Sequence, residues 1–398
     1  MISVEEALAT ICAHSEMLDV ETVSLEKLNK RVSAETVRAK TTVPPNAMSA
    51  MDGYGVRFDS AKKIGDRLQV IGEVPAGEEF SGMVGAGEAV RIFTGGKVPK
   101  GADHIVIQED VSREGDWIAL TCDQKKPSHI RQAGIDFRAG DEIIGMGEEI
   151  NAYKIAVLAS ADHGAIKTIR RPKVAIIANG NELIEPGQGG KGILSSTPYG
   201  LLALLEEWGC EGEYLGIAED SPEAIKEKID AAKEFDLIIP LGGASVGDYD
   251  YMKPSFADAG FEFLFQKIKI KPGKPTWFAR RSSPTIQYVL GLPGNPASAM
   301  VCAHLFVKPL TDNLRGMPVS GHEIQMAVLG TELPKQGGRD EYLRGVLEIA
   351  NDGCQIAKPL SRQDSSLLTP FLQANCFIVR RAGARAASSG DIVEVIRL

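Results

Sequence analysis

The spacing of apolar residues changes along the chain and predicts different kinds of structure in succession. Between about residues 54 and 150, short apolar runs alternate with glycine turns, which is typical of an antiparallel sandwich or barrel. Between 173 and 315, strand-length runs such as Val174–Ala178 and Leu237–Leu241 alternate with helical segments. This alternation predicts a parallel sheet with helices on both faces. From 323 to 398 short β segments return and indicate a small barrel.

Local signals place the ends of several helices. Ser3-Val4-Glu5-Glu6 is a capping box and predicts an N-terminal helix. Tyr199–Trp208 is predicted to form a helix that the following glycine closes. Ser221-Pro222 has the N-cap and first-turn residues of another helix start. Asn295-Pro296 is predicted to open an apolar helix over Ala297–Leu310.

Composition and charge narrow the classes of function. The chain has 398 residues, 43 % of them hydrophobic, and its 44 basic and 53 acidic residues give a net charge of −9. This length predicts about two to three domains. A net negative chain is a poor non-specific binder of nucleic acid, so we expect no nucleic-acid partner. The apolar runs are far shorter than the roughly 18 residues of a membrane span, so we expect no membrane association.

Targeting and cysteine signals indicate the cytoplasm. The N-terminal residues show neither a basic region nor a cleavage site of a secretory signal. The six cysteines include no CxxC pair and the six histidines do not cluster, which argues against a zinc or redox motif. We therefore expect free thiols in a reducing compartment and a cytoplasmic localisation.

A glycine-rich segment, Leu241–Tyr251, follows a predicted parallel strand. Ligands bind at the carboxyl ends of such strands, and glycines let backbone N–H groups approach an anion. Asp248 and Asp250 offer oxygen ligands to a divalent cation. A tight turn with two solvated aspartates explains the same residues. The segment also contains the G-x-S-x-G pattern of a serine-hydrolase elbow around Ser245, but His304, downstream in an apolar run, is predicted to be a packed residue.

Two further segments are candidate anion sites. Lys267, Lys269 and Lys271 alternate and would share one face of a strand, with Lys274 close behind. A solvated edge strand that carries lysines is the alternative interpretation. In Gly291–Ser298 a strand ends, a Pro-Gly turn follows and a helix begins, so unpaired helix N–H groups would face an anion. Helix capping alone explains the same pattern.

Carboxylates follow three strands of the predicted parallel sheet. Glu182, Asp220 and Asp250 each come after such a strand and are expected to converge at its carboxyl edge. Carboxylates that face lysines and helix N-termini form a site for a metal-bridged phosphoanhydride. For Asp220, simple turn chemistry at the surface is the alternative.

Several motifs, taken in order, resemble a known family. They are spread over essentially the whole chain: Ser49–Tyr54, Arg91–Gly95, Gly101–Asp103, Gly242–Asp250, Lys271–Pro275 and Gly291–Ser298. Together they resemble the MoeA / gephyrin E-domain family of molybdopterin molybdenumtransferases. The resemblance implies that adenylated molybdopterin and molybdate are the substrates, that molybdenum is inserted at the dithiolene, and that AMP is released with the help of Mg²⁺. It also implies a homodimer, with a molybdopterin-adenylating protein as a candidate partner.

The resemblance also implies roles for particular residues. Asp52, Thr94, Asp220 and Asp250 match positions expected to be catalytic, and Glu182 and Asp220 are expected to hold the metal. The residues expected to bind substrate are Glu182, Ser245, Lys267, Lys271, Lys274, Pro293, Asn295, Ser298, Arg339 and Ser365.

The fold implied by the resemblance is a multi-domain α/β plus β architecture. Its expected parts are an elongated N-terminal domain (1–40 and 141–171), an inserted β domain (41–140), a doubly wound, MoaB/Mog-like α/β domain (172–318) and a C-terminal β-barrel (319–398). The boundaries found from local patterns agree with this division in outline.

The chain departs from the family pattern at the predicted site. The family usually has Thr-Gly-Asp-Glu-Leu where this chain has Asn179–Leu183, and Asp-Ser-Asn where it has Ser195–Thr197. Phe-Asp-Asn is replaced by Asn46–Met48. Asn181 in place of the family's Asp removes a negative charge beside the expected metal, and its amide oxygen is a weaker ligand than a carboxylate. These changes motivate an alternative hypothesis, a non-catalytic or substrate-shifted paralogue that binds pterin or scaffolds a partner.

Overall fold

Residues 1–38 begin a part of the fold, here called the base, that residues 142–169 complete later in the chain. The computed structural model describes residues 1–75, 77–243, 251–283, 285–318 and 322–398. The predicted capping box is present: the Ser3 hydroxyl accepts the Glu6 N–H at 3.0 Å, and the Glu6 carboxylate accepts the Ser3 N–H at 2.7 Å. The first elements are α1 (Val4–Ala13), β1 (Val20–Ser24), β2 (Val32–Ser33) and β3 (Val37–Arg38).

A β-rich segment follows. Its strands are β4 (Met48–Ser49), β5 (Gly53–Val56), β6 (Arg67–Val74), β7 (Glu88–Ile92), β8 (His104–Ile107), β9 (Val111–Glu114), β10 (Trp117–Leu120) and β11 (Ile130–Arg131). Six of them form a sheet in the order β8-β5-β7-β6-β10-β9. The predicted antiparallel pattern is wrong for β6 and β7, which pair in parallel. The connection between them, from Val74 to Glu88, is long enough for a crossover rather than a hairpin.

The chain then returns to the base. β12 (Glu142–Ile144), α2 (Ala152–Ser160) and β13 (Ala165–Ile169) complete it, because β12 pairs with β3, and β13 lies between β1 and β2. The β-rich segment is therefore inserted between two stretches of sequence that fold together.

The next segment forms the predicted α/β sheet. Its elements are β14 (Lys173–Asn179), β15 (Leu183–Ile184), β16 (Ile193–Leu194), α3 (Thr197–Glu207), β17 (Glu211–Ala218), α4 (Pro222–Ala231), β18 (Leu237–Leu241), α5 (Met252–Asp258), β19 (Glu262–Phe265), β20 (Ile270–Lys271), β21 (Trp277–Arg281), β22 (Gln287–Gly291), α6 (Pro296–Cys302) and α7 (Lys308–Leu314). The main sheet has the order β17-β14-β18-β22-β21-β19. The first four strands are parallel, as predicted, whereas β21 and β19 are antiparallel additions at one edge.

Helices cover both faces of this sheet. Buried residues of α1, α3 and α6 pack on one face, and those of α4 and α5 pack on the other. The predicted helix over Ala297–Leu310 is present, but a π-helical turn at Ala303–Val307 interrupts its α-helical hydrogen bonding between α6 and α7. Pro309 cannot donate to Leu305, and the Leu305 carbonyl is instead 3.0 Å from the His322 ring nitrogen Nε2.

The last strands close into the predicted barrel. They are β23 (Ile324–Leu329), β24 (Asp340–Ile349), β25 (Gln355–Pro359), β26 (Cys376–Arg380) and β27 (Ile392–Arg397). The pairings run β24-β25-β23-β27-β26 and back to β24, so five strands form a closed ring. β20 adds to β24 in parallel and joins the barrel to the α/β part. Within the described ranges, no helix is long and apolar enough to cross a membrane.

Candidate active site

A cavity of about 730 Å³ opens at the carboxyl ends of β14, β18 and β22. This is the edge where a parallel sheet places its ligands. Predicted site residues at this edge are Glu182, Asp220, Pro293 and Asn295, and all four line the cavity. The structure thus brings two of the three predicted carboxylates to one wall. Ser245 and Asp250 lie outside the described residues.

The loops after β14 and β17 are held together by a reciprocal pair of hydrogen bonds. The Asn181 N–H donates to Asp220 Oδ2 at 3.1 Å, and the Asp220 N–H donates to Asn181 Oδ1 at 2.9 Å. The buried Asn179 amide adds hydrogen bonds to the carbonyls of Ala218 and Glu219. The departures at Asn179 and Asn181 are therefore structural links that fix where the Asp220 carboxylate lies.

Glycine at position 180 lets the neighbouring glutamate fold back over the loop. Gly180 has φ of +147°, and a Cβ there would lie 2.5 Å from Glu182 Oε2. A larger residue would push the Glu182 carboxylate away from its present position. The sequence Asn-Gly-Asn-Glu thus sets the placement of both carboxylates at this edge.

A carboxylate–phenol cluster supports the adjacent wall of the cavity. Glu185 accepts hydrogen bonds from the hydroxyls of Tyr199, at 3.1 Å, and Tyr214, at 2.9 Å. The Tyr214 hydroxyl is also 3.2 Å from that of Ser195, which lines the cavity. Burial and the Glu185 carboxylate raise the pKa of Tyr214, although the Ser195 hydrogen bond opposes this. Tyr214 therefore stays a neutral hydrogen-bond donor.

A second cavity of about 580 Å³ continues from the first. Pro293 and Asn295 line both cavities, so the two are sides of one cleft. The second side lies between the α/β part and the barrel. Predicted residues found there are Lys271, Lys274, Ser298, Arg339 and Ser365.

Of the lysines predicted to bind substrate, Lys271 and Lys274 line the second cavity and Lys267 does not. Lys271 forms an ion pair with Glu341, with Nζ 2.6 Å from Oε1, and Lys274 lines the same cavity. Lys269 and Lys271 are exposed while Ile268 and Ile270 are buried, as the predicted alternation requires, but Lys267 is half-buried. Lys267 lines neither cavity, so the structure does not bring it to the site.

The helix N-terminus predicted to bind an anion is already occupied. The N–H groups of Ala297 and Ser298 both donate to the Ser365 carbonyl, at 3.0 and 3.3 Å. The Asn295 side chain donates to the Ser365 hydroxyl at 2.9 Å. The prediction of unpaired N–H groups at this helix is therefore wrong, because a loop of the barrel caps α6.

A buried arginine outside the predicted site residues holds this loop. The Arg344 side chain is 1 % exposed and donates to the carbonyls of Leu367, at 2.7 Å, and Asp364, at 2.9 Å. Gln363 links back by donating to the Arg344 carbonyl at 2.8 Å. Arg344 lies on β24, which begins directly after Arg339, but nothing in the sequence around it predicts that an arginine there is buried.

Comparison with known proteins agrees with this architecture. Residues 2–161 match the MoeA N-terminal region (domains I and II), residues 175–313 match a "probable molybdopterin binding domain", and residues 326–398 match the MoeA C-terminal region (domain IV). Molybdopterin molybdenumtransferases from Nostoc sp. and Haemophilus influenzae are each 33 % identical to this chain. The alignments cover 96 % of this chain in both cases, and 89 % and 96 % of those proteins. The chain belongs to the molybdopterin molybdenumtransferase family.

A solved structure supports the family assignment. The molybdopterin biosynthesis MoeA protein from Pyrococcus horikoshii OT3 matches with a TM-score of 0.82 and 27 % identity over all of both chains. The expected multi-domain α/β plus β fold, with its inserted β part and C-terminal barrel, is confirmed.

Two residues expected to be catalytic, Asp52 and Thr94, lie away from the cleft. Asp52 and Thr94 belong to the inserted β segment, where the Thr94 N–H donates to Asp52 Oδ1 at 2.7 Å. Hydrogen bonds from the Thr94 N–H and hydroxyl lower the pKa of Asp52, and the nearby Arg91 charge adds to this. Asp52 is therefore a carboxylate at neutral pH and a hydrogen-bond acceptor rather than an acid. Neither residue lines the two cavities.

The donor set of the first cavity fits the Mg²⁺ expected from the molybdenumtransferase resemblance. Glu182 and Asp220 supply carboxylate oxygens, the ligands that this cation prefers. Across the described part of the chain, no group of three or more His, Cys, Asp or Glu side chains is placed to hold a metal. Because Mg²⁺ commonly binds through one or two carboxylates plus substrate phosphate and water, the pair fits a cation that binds together with a phosphate ligand.

Proposed function

We propose that this chain inserts molybdenum into adenylated molybdopterin, using molybdate and releasing AMP. The observation that carries the proposal is the cleft itself. Carboxylates line one side of the cleft, and lysines, an arginine and hydroxyls line the other. The two sides share Pro293 and Asn295. The chain is also a member of the molybdenumtransferase family. One cleft therefore offers a site for a nucleotide-linked phosphate beside a site for an oxyanion.

The oxyanion side binds molybdate in this proposal. Lys271, Lys274 and Arg339 supply positive charge, and the hydroxyls of Ser298 and Ser365 supply hydrogen bonds. Such groups act mainly by binding and orienting the oxyanion next to its reaction partner.

The carboxylate side holds the phosphoanhydride of adenylated molybdopterin together with Mg²⁺. Glu182 and Asp220 would hold the cation, which when bound neutralises phosphate charge. Asn181 keeps the Asp220 carboxylate in place through its two hydrogen bonds. An oxygen of molybdate or of water would attack the molybdopterin phosphorus of the phosphoanhydride. A new P–O bond forms there as the bridging P–O bond breaks, AMP leaves with the bridging oxygen, and an attacking water gives its proton to solvent.

Asp52 and Thr94 take part through a second copy of the chain. In a homodimer, the inserted β segment of one protomer reaches the cleft of its partner, and the Asp52 carboxylate is oriented by the Thr94 N–H for that role. A molybdopterin-adenylating protein is the proposed supplier of the substrate. These two assignments rest on the family resemblance and on the separation of Asp52 from the cleft of its own chain.

The test is release of AMP from adenylated molybdopterin by the purified chain, with molybdate or Mg²⁺ omitted in turn. We expect release that requires molybdate and that falls at least about 100-fold in Asp220→Asn, the size of a lost charge-stabilising group. Glu219→Asn is the matched control, since this neighbouring carboxylate is exposed and lines neither cavity. Binding of substrate without AMP release under every condition would support the non-catalytic alternative instead.

A further inference from the structure

The pairing of two strands places Lys271 next to Glu341, and their side chains form an ion pair. β20 and β24 pair in parallel with Lys271 directly opposite Glu341, so the two side chains share one face. Nζ of Lys271 lies 2.6 Å from Oε1 of Glu341. The lysine side chain is 57 % exposed, whereas the glutamate side chain is only 14 % exposed. The carboxylate is thus the fixed partner, and the ammonium group is the one open to a ligand.

Both members of the pair line the second cavity. Among the described residues there, Lys271, Lys274 and Arg339 are basic, and Glu341 and Asp364 are acidic. The Asp364 carboxylate already accepts the N–H and the hydroxyl of Ser366, at 2.8 and 2.6 Å. Glu341 is therefore the carboxylate that directly neutralises a cation of the anion site.

We infer that Glu341 is a resident counter-ion that competes with the incoming oxyanion for Lys271 and so limits the affinity of the site. This inference rests on the proposed function of the second cavity. A bound oxyanion has to share or displace the Glu341 contact, and it also meets the repulsion of a mostly buried negative charge. Weakened binding suits an oxyanion that must leave the site again during the reaction.

The Glu341 carboxylate also discriminates between oxyanions that carry a proton and oxyanions that carry none. Hydrogenphosphate carries an O–H at pH 8 and can donate it to Glu341, whereas molybdate and sulfate carry no proton at this pH. Replacing Glu341 by glutamine removes the competing charge for every oxyanion but also removes a strong acceptor for hydrogenphosphate. Glu341→Gln is therefore expected to tighten binding of molybdate and sulfate more than binding of phosphate.

The experiment is calorimetric titration of the full chain with molybdate, sulfate and phosphate at pH 8 and constant ionic strength. We expect Glu341→Gln and Glu341→Ala to lower the Kd of molybdate about threefold to tenfold, the range of a partly exposed charge pair. Glu348→Gln is the matched control, because Glu348 lies on the same strand and pairs with Lys358 at 2.9 Å outside the cavity. A general loss of structure would weaken binding, so tighter binding separates the two explanations.

The outcomes distinguish this inference from the proposed function. If molybdate binds to the unmodified chain, is lost in Lys271→Met and binds unchanged or more weakly in both Glu341 variants, the counter-ion role is overturned and the molybdate site stands. If neither the unmodified chain nor the Glu341 variants bind molybdate, both the inference and the proposed oxyanion site are overturned. Equal tightening of phosphate and molybdate overturns the proton-based selectivity.

Discussion

Asn181 and Asp220 hold each other by two hydrogen bonds, each from the backbone N–H of one residue to the side chain of the other. The pair connects the ends of β14 and β17, which are neighbours in the parallel sheet. It needs an acceptor oxygen at position 181 but no charge there. An asparagine therefore satisfies the link while it leaves Asp220 as the charged member.

Adding a charge at this link should strengthen cation binding. Asn181→Asp keeps the acceptor for the Asp220 N–H and adds a carboxylate beside Asp220 and Glu182, so we expect the Mg²⁺ concentration for half-maximal AMP release to fall severalfold, about 1 kcal/mol. Asn181→Ala removes the acceptor and should raise that concentration. A Mg²⁺ dependence that is identical in all three proteins would place the cation away from this loop.

Arg344 should control binding of molybdate without affecting the cation. Arg344→Met leaves the Leu367 carbonyl without its donor, at a cost of about 1–3 kcal/mol, and leaves the Asp364 carbonyl with only the Leu367 N–H at 3.3 Å, so the loop that carries Ser365 is freed. We expect the KM for molybdate to rise while the Mg²⁺ dependence of AMP release stays unchanged. Arg362→Met, in an exposed part of the same loop, is the control and should behave like the unmodified chain. Equal changes for molybdate and Mg²⁺ would contradict a local role.

Local sequence signals predicted much of the α/β part, because its elements are set by neighbours in sequence. The helix start at Ser221-Pro222 and the buried run Val174–Ala178 both appear as predicted. In the N-terminal base, the capping box at Ser3 also appears as predicted. The parallel pairing of β6 with β7 did not follow from sequence, since a strand carries no local record of its partner. The antiparallel β19 and β21 were missed for the same reason.

The candidate site shows the same difference between features set by neighbours in sequence and features set by distant contacts. Residues at strand ends, such as Glu182 and Asp220, were found because the ends of parallel strands meet at one edge. Glu341 and Arg344 were missed although they follow Arg339 closely, because their roles depend on contacts between the barrel and the α/β part. Ser365 was selected from the resemblance, yet its cap on α6 is visible only in the structure.

Arg315 and Glu149 form an ion pair at the junction between the N-terminal base and the α/β part. We expect Arg315 to contribute more to the free energy of unfolding than a residue of an exposed ion pair does. Nη2 of Arg315 lies 2.6 Å from Oε2 of Glu149, and the Arg315 side chain is almost fully buried. Arg315→Met leaves Glu149 with Lys30 as an ion-pair partner in the described structure, but it removes the Arg315 donor from the carbonyls of Trp208 and Lys30. At about 1–3 kcal/mol for each carbonyl left unpaired, we expect a loss of about 2–5 kcal/mol in the free energy of unfolding. Urea denaturation measures it. Lys358→Met, which breaks an exposed pair with Glu348, should cost under about 1 kcal/mol, and equal losses would contradict the assignment.

The stability of the fold should fall on mild acidification through His304. Its ring packs edge-on against Trp208 and Phe377, with centroids 5.3 and 5.7 Å apart, and so joins the α/β core to the barrel. Burial, with smaller contributions from the charges of His322 and Lys308, lowers the pKa of His304 to about 4. The unfolded chain, in which histidine has a pKa of about 6.5, takes up a proton first as the pH falls.

The sign and the range of this effect follow from the two pKa values. A histidine whose pKa is lower in the folded state contributes stability that is fully present above about pH 6.5 and is lost as the pH falls toward 4. We expect the free energy of unfolding, measured in urea at steps between pH 7.5 and pH 4, to decline more steeply for the unmodified chain than for His304→Gln. The difference between the two proteins should become constant above about pH 6.5, where the ring is neutral in both states. Parallel curves over the whole range would mean that the packed His304 ring does not resist protonation, and that its contacts with Trp208 and Phe377 tolerate a positive charge.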